Sequence, residues 1–169
     1  MSEIPEISRQ LRSLVKSSGE LVLSIQDSKV APPRANEVLL KVEASPINPS
    51  DLALLLGYSD ISKAEYSGTE SDPIVTAPIN PKLMPALAAR INKSMTVGNE
   101  GAGLVIATGE SDEAQALMGK TVAGLGAPMY NQYRTLKVHQ CLEMHPGVSS
   151  KQAAACFVNP LTAMGMVET

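Results

Sequence analysis

The sequence predicts a mainly β domain with short helices, barrel-like and finishing in a helical connector. Three observations carry this reading. The 12 Gly and 12 Pro among 169 residues are too many for a helical bundle and suit many turns between short strands. Runs rich in Val, Leu and Ile at 20–25, 37–44, 97–108 and 121–125 have strand length. The chain then changes to an Ala-rich stretch after residue 149, and no repeat, heptad or low-complexity tail accompanies it.

Taken in order, the strands at 20–25 and 37–44 flank a loop whose Pro32 and Pro33 forbid continued pairing. Pro49 occupies a first-turn position, so 50–56 reads as a short apolar helix with Asn48 at its entrance and Gly57 as its left-handed cap. Residues 59–96 are predicted to be a large loop insertion, with one helix of about two turns at 83–91. Strand character resumes at 97–108, Ser111 caps a short helix, and strands follow at 121–125, 130–138 and 141–144. Ser149 and Gln152 form a capping-box pair before a run that Pro160 interrupts, which predicts two broken helices. The expected division is a domain over 1–150 and a helical connector over 151–169.

Composition excludes several functions. Aromatic residues are 3% of the chain and the net charge is -3, with Lys and Arg scattered singly, so nucleic-acid binding is not expected. Two cysteines, Cys141 and Cys156, are too few for a disulfide framework or a four-thiolate zinc site. The first ten residues lack an apolar h-region and no apolar run is long enough for a bilayer span, giving an expectation of a cytoplasmic protein without membrane partners.

Three stretches could carry chemistry. Gly98-Asn99-Glu100-Gly101-Ala102-Gly103 has glycines but not the dinucleotide-binding spacing, and Leu104-Val105-Ile106 continues as strand. Its glycines are expected to permit close strand or cofactor approach rather than to cradle phosphate. Asn48 and Asp51 alone read first as a helix-entrance pair rather than a functional site. Asn159-Pro160 with Thr162, taken alone, likewise reads first as a helix break with local caps.

In this order, Asn48-Pro49-Ser50-Asp51, the glycine stretch, Gly119-Lys120-Thr121-Val122 and Asn159-Pro160-Leu161-Thr162-Ala163 resemble the medium-chain dehydrogenase/reductase superfamily. The nearest branches are its zinc-free quinone oxidoreductases and 2-enoyl thioester reductases. The resemblance implies a GroES-like β-barrel catalytic domain whose connector leads toward a Rossmann domain absent from this chain. It implies NADPH as cofactor, held mostly by the missing domain, through which a homodimer would also form. Zinc-dependent relatives have Cys and His where Asn48 and Asn99 stand, and neither amide is a good zinc ligand, so no zinc is expected.

By the same resemblance, Asn48, Asn159 and Thr162 would contact the nicotinamide and its ribose. Tyr58 would be the catalytic acid, although it directly follows Gly57 where relatives usually have one residue between. Tyr130 would bind substrate, with ordinary strand packing as an equal account of it. His139 and His145 receive no role and Cys156 packs in its helix. The insertion would cap the substrate cleft, with Met84, Leu87 and Ile91 covering an apolar acceptor or a neighbouring subunit.

The implied function is reduction of an activated C=C or quinone-type small-molecule acceptor, with the isolated chain inactive. The rival readings are a stand-alone GroES-like module binding a small molecule or a protein, and an alcohol or aldehyde dehydrogenase-type reductase.

Overall fold

A computed structural model describes residues 4–168. Its first elements are β1 (Ile7–Lys16) and β2 (Glu20–Lys29), a ten-residue antiparallel hairpin in register from Ile7↔Lys29 to Lys16↔Glu20. Gly19 turns it at φ +88°, a conformation that side chains resist. The sequence reading missed β1. Arg9, Arg12 and Lys16 interrupt its apolar pattern, and pairing with β2 outweighs that weak local signal.

The next elements are β3 (Glu37–Ala44), α1 (Pro49–Leu55), β4 (Glu65–Gly68), β5 (Pro73–Pro78), a 3-10 helix (Pro81–Arg90) and β6 (Ser94–Thr96). They are followed by β7 (Glu100–Thr108), α2 (Asp112–Gln115), β8 (Thr121–Leu125), β9 (Tyr133–Lys137) and β10 (Cys141–Glu143). The chain closes with α3 (Ser150–Ala153) and α4 (Val158–Glu168).

The strands form two five-stranded antiparallel sheets, ordered β4-β5-β2-β1-β6 and β10-β8-β7-β3-β9. An isolated bridge between Gln10 and Asn131 ties the sheets together, and the result is the mainly β, curled half-barrel expected of this sequence. β3 runs between β7 and β9, and Val38, Leu39 and Leu40 are all at most 1% exposed. Val38 and Leu40 pack with Val105, Val122, Met129 and Leu136. Each such side chain contributes roughly 1.5–3 kcal/mol on burial.

The segment 59–96 is not a loop. β5 pairs with β2, β4 pairs with β5, and β6 pairs with β1, so the segment supplies three of the five strands of the first sheet. Its 3-10 helix seats Leu87 among Val15, Leu21 and Ile79, with Met84 and Ile91 packed alongside. Met84, Leu87 and Ile91 therefore belong to the domain's own core and do not cap a cleft. Pro85 lies inside the run, where it removes an intrahelical hydrogen bond, consistent with a 3-10 rather than an α-helix.

The end of the chain also differs from expectation. The break between its helices falls at 154–157, while Pro160 sits in the first turn of α4, where its missing N–H costs nothing. Ala153 and Ala154 pack with Ala102 and Ala123, because methyl-sized side chains let α3 lie close to the sheet. α4 buries no residue, and Leu161, Met164, Met166 and Val167 are exposed.

Candidate functional site

Three segments converge on one buried carboxylate. Asn48 is the N-cap of α1, with extended backbone at φ -88° and ψ 157°, and Pro49 fixes the first helical residue after it. One turn into α1, the buried Asp51 reaches back so that its Oδ2 accepts the Asn48 backbone N–H at 3.0 Å. The other oxygen of Asp51 accepts the Asn99 N–H at 3.1 Å. Asn99 in turn donates through Nδ2 to Ser50 Oγ at 2.9 Å. The start of α1 and the start of β7 are thus locked together by polar contacts.

Glu100 completes the arrangement. It is fully buried, and its Oε1 accepts from Asn48 Nδ2 at 2.9 Å. Its Oε2 accepts the backbone N–H groups of Phe157 and Val158 at 2.9 and 3.0 Å. These are orphan donors at the beginning of α4, so a carboxylate there both satisfies them and complements the helix dipole. Because a carboxylate only accepts, it also sets the Asn48 amide, with Nδ2 toward Glu100 and Oδ1 turned away.

The glycines around Glu100 are packing positions. A Cβ on Gly98, whose φ is +91°, would lie 2.5 Å from the Tyr130 nitrogen, and one on Gly103 would lie 1.9 Å from the Lys41 carbonyl oxygen. β7 therefore approaches β3 and the Tyr130 segment more closely than any side chain allows. Tyr130 donates its hydroxyl to the Pro46 carbonyl at 2.8 Å. Burial, and after it the Asp51 carboxylate, push the Tyr130 phenol up to about 12.

The structure brings some of the predicted residues together and separates others. Asn48, 1% exposed, and Tyr130 share the Asp51 neighbourhood. Asn159 and Thr162 are exposed on α4, the helix whose start Glu100 joins to Asn48. Thr162 Oγ1 donates to the Val158 carbonyl at 2.6 Å, which leaves its oxygen able to accept. Tyr58 lies beyond the opposite end of α1, 52% exposed; the seven-residue helix between it and Asn48 is about 10 Å long. Gly57 adopts φ +51°, the left-handed cap expected there.

Glu100 and Asp51 were not among the predicted site residues. A signal for Glu100 existed: one carboxylate amid Gly and Ala at the head of a β-branched strand is a charge the fold must bury and therefore pair. Among the described residues, no group of three His, Cys, Asp or Glu side chains is placed to hold a metal ion, and no helix is long and apolar enough to cross a membrane.

No protein-family model matches the chain. Solved structures do share its fold. A Mesorhizobium loti protein assigned as an NADPH:quinone reductase is 25% identical with a TM-score of 0.65, over 98% of this chain and 44% of its own. The CurK enoyl reductase is 23% identical with a TM-score of 0.62, over 93% of this chain and 41% of its own. A mycobacterial protein solved with NADPH is 17% identical with a TM-score of 0.59, over 96% of this chain and 40% of its own. The chain thus spans less than half the length of the proteins it matches, and the likeness is to quinone oxidoreductases and enoyl reductases of the medium-chain superfamily.

Proposed function

We propose that this chain, which has the fold of one domain of the medium-chain quinone and enoyl reductases, is the N-terminal catalytic domain of an NADPH-dependent, zinc-independent oxidoreductase. Its acceptor would be a small molecule with an activated C=C or a quinone. The observation that carries this reading is the match of nearly the whole chain to under half of each such enzyme; on this reading residues 151–169 would be the connector to a nucleotide-binding domain. The isolated chain would then be inactive.

NADPH, when bound, supplies the hydride. This domain's residues supply placement. Asn159 and Thr162 are three apart on α4 and share a face, offering an exposed amide and a hydroxyl oxygen of the kind that hydrogen-bonds a ribose or a carboxamide. Glu100 fixes the start of that helix against Asn48, so the two polar groups are carried on a rigid base. Asn48, whose amide Glu100 holds, is assigned the nicotinamide contact. Tyr58, exposed at the other end of α1, is assigned proton donation to the acceptor, and Tyr130 lines the substrate side.

The test is NADPH oxidation by the complete protein with a benzoquinone and with a crotonyl thioester as acceptors. Activity with either is expected, with Asn159→Ala and Thr162→Ala raising the KM for NADPH about tenfold. Absence of NADPH oxidation with both acceptors would overturn the redox reading.

A further inference from the structure

Five basic residues line one groove, and among the described residues none of them is within ion-pair distance of a carboxylate. Two adjoining cavities of about 310 and 350 Å³ share Ala31, Arg134 and Thr135 as a common wall. Arg12 and Lys29 line the first cavity, Arg34 and Lys137 the second. Ion pairs among the described residues use Arg9, Lys16, Lys63 and Lys120 instead. Glu37 is the one acidic residue lining either cavity; its Oε2 accepts the Arg34 backbone N–H at 3.0 Å and its charge acts on Arg134, so one carboxylate stands against five cations. The chain as a whole has 14 basic residues and a net charge of -3, so this local excess of positive charge runs against its overall balance.

The groove is also built to hold its cations in place. Arg134 donates from Nη2 to the Ala127 carbonyl at 2.8 Å, and its buried Nε has no partner. Arg12 is anchored through Nε and Nη2 to Ser94, at 2.9 Å to Oγ and 2.6 Å to the carbonyl oxygen. Ser28, Thr96 and Thr135 add hydroxyls to the first cavity. Fixed guanidinium forks with hydroxyls beside them suit the oxygens of phosphate and carboxylate groups. Each cavity has room for one such group and a short linker.

We propose that this groove binds a small, multiply charged anion bearing phosphate or carboxylate groups, bridging Arg134 with one charged group in each cavity. None of Asn48, Tyr58, Asn159 or Thr162 lines it, so the site is separate from the candidate redox site and does not depend on that reading.

Calorimetric titration of the chain with inorganic pyrophosphate and with citrate tests it, in buffer of roughly 20 mM ionic strength to limit screening. Saturable one-to-one binding of at least one probe is expected. Lys29, Arg34 and Lys137 have no side-chain partners and lie at the surface or rim, so K29Q/R34Q/K137Q retains the fold and weakens binding about tenfold or more. A charge-matched K82Q/K93Q/K151Q set leaves it unchanged. Pyrophosphate alone, citrate alone or both binding each supports the site and distinguishes phosphate from polycarboxylate chemistry. No saturable binding of either, or equal weakening by the two triple variants, overturns it.

Discussion

Glu100 and Asn48, 52 residues apart in sequence, meet as a buried carboxylate and a buried amide at 2.9 Å. The same carboxylate holds the first backbone donors of α4, so one side chain joins the entrance of α1, the head of β7 and the start of the last helix. Asn48→Asp would place two carboxylates face to face, and is expected to cost about 2–4 kcal/mol. Glu100→Gln would turn a donor toward the Asn48 Nδ2 donor, at a cost of about 1–3 kcal/mol unless the Asn48 amide reverses. The double variant N48D/E100Q exchanges the roles and keeps an acceptor for Phe157 and Val158. Urea denaturation should therefore show it more stable than N48D alone, and losses that simply add would mean the pair carries no coupling.

Tyr130 should make alkaline stability fall in a defined window. The folded protein keeps its phenol protonated up to about 12, whereas in the unfolded chain it ionises from about pH 10. Between those values the unfolded state binds fewer protons, so stability is constant below the window and declines through it as pH rises. The ring is partly exposed, which screens the effect and makes the slope shallow. Tyrosinate absorbance should show one late-titrating phenol that is absent in Tyr130→Phe, and the variant's stability should lose that part of its alkaline slope.

What could be read from the sequence was what local chemistry decides. Pro49 and Gly57 bracket α1 as expected, and Ser149 with Gln152 opens α3 as expected, because caps and turn residues act over a few positions. β1 and the strands of residues 59–96 were not legible. Their charged, serine-rich or proline-containing runs become strands through sheet pairing, β1 and β5 with β2, β4 with β5 and β6 with β1, and the Arg12↔Thr96 pair joins residues about 84 apart in sequence. The site divided in the same way. Asn48 was visible as a helix entrance, but its buried partner is set by the fold of β7 against α1.

Arg90 shows what the 59–96 segment does for that helix. Its guanidinium reaches the Ala53 and Leu54 carbonyls at 3.4 and 3.3 Å and Ser13 Oγ at 3.0 Å. Ser13 itself donates to the Leu54 carbonyl at 2.5 Å. These contacts satisfy the last turn of α1 and complement its dipole. Arg90→Ala is expected to cost about 1–3 kcal/mol, with faster amide exchange at Leu56 and Gly57, whose N–H groups bond to the Leu52 carbonyl. Lysine, with one ammonium in place of a fork, should restore part of the stability. Unchanged exchange in Arg90→Ala would show that the segment does not brace α1.

Two glycine substitutions should have opposite effects, one destabilising the fold and one strengthening a single helix. At Gly103 a Cβ would stand 1.9 Å from the Lys41 carbonyl oxygen and 2.8 Å from its carbon. Both are backbone atoms of β3, the strand paired with β7, so no rotamer change relieves the overlap. The strands must separate at the position where Val42 faces Gly103, next to the packed core of β3. Gly103→Ala is accordingly expected to destabilise by about 3 kcal/mol or more, or to abolish soluble expression. Gly165 lies in α4, where an added Cβ meets nothing within 4 Å and φ is not positive. There alanine removes the entropy penalty of a helical glycine, worth roughly 0.5–1 kcal/mol. Circular dichroism in the helical region should rise slightly for Gly165→Ala while thermal unfolding of the sheets stays unchanged, because α4 buries none of its side chains against them. A Gly103→Ala protein as stable as the parent would mean that β7 does not approach the Lys41 carbonyl of β3 that closely.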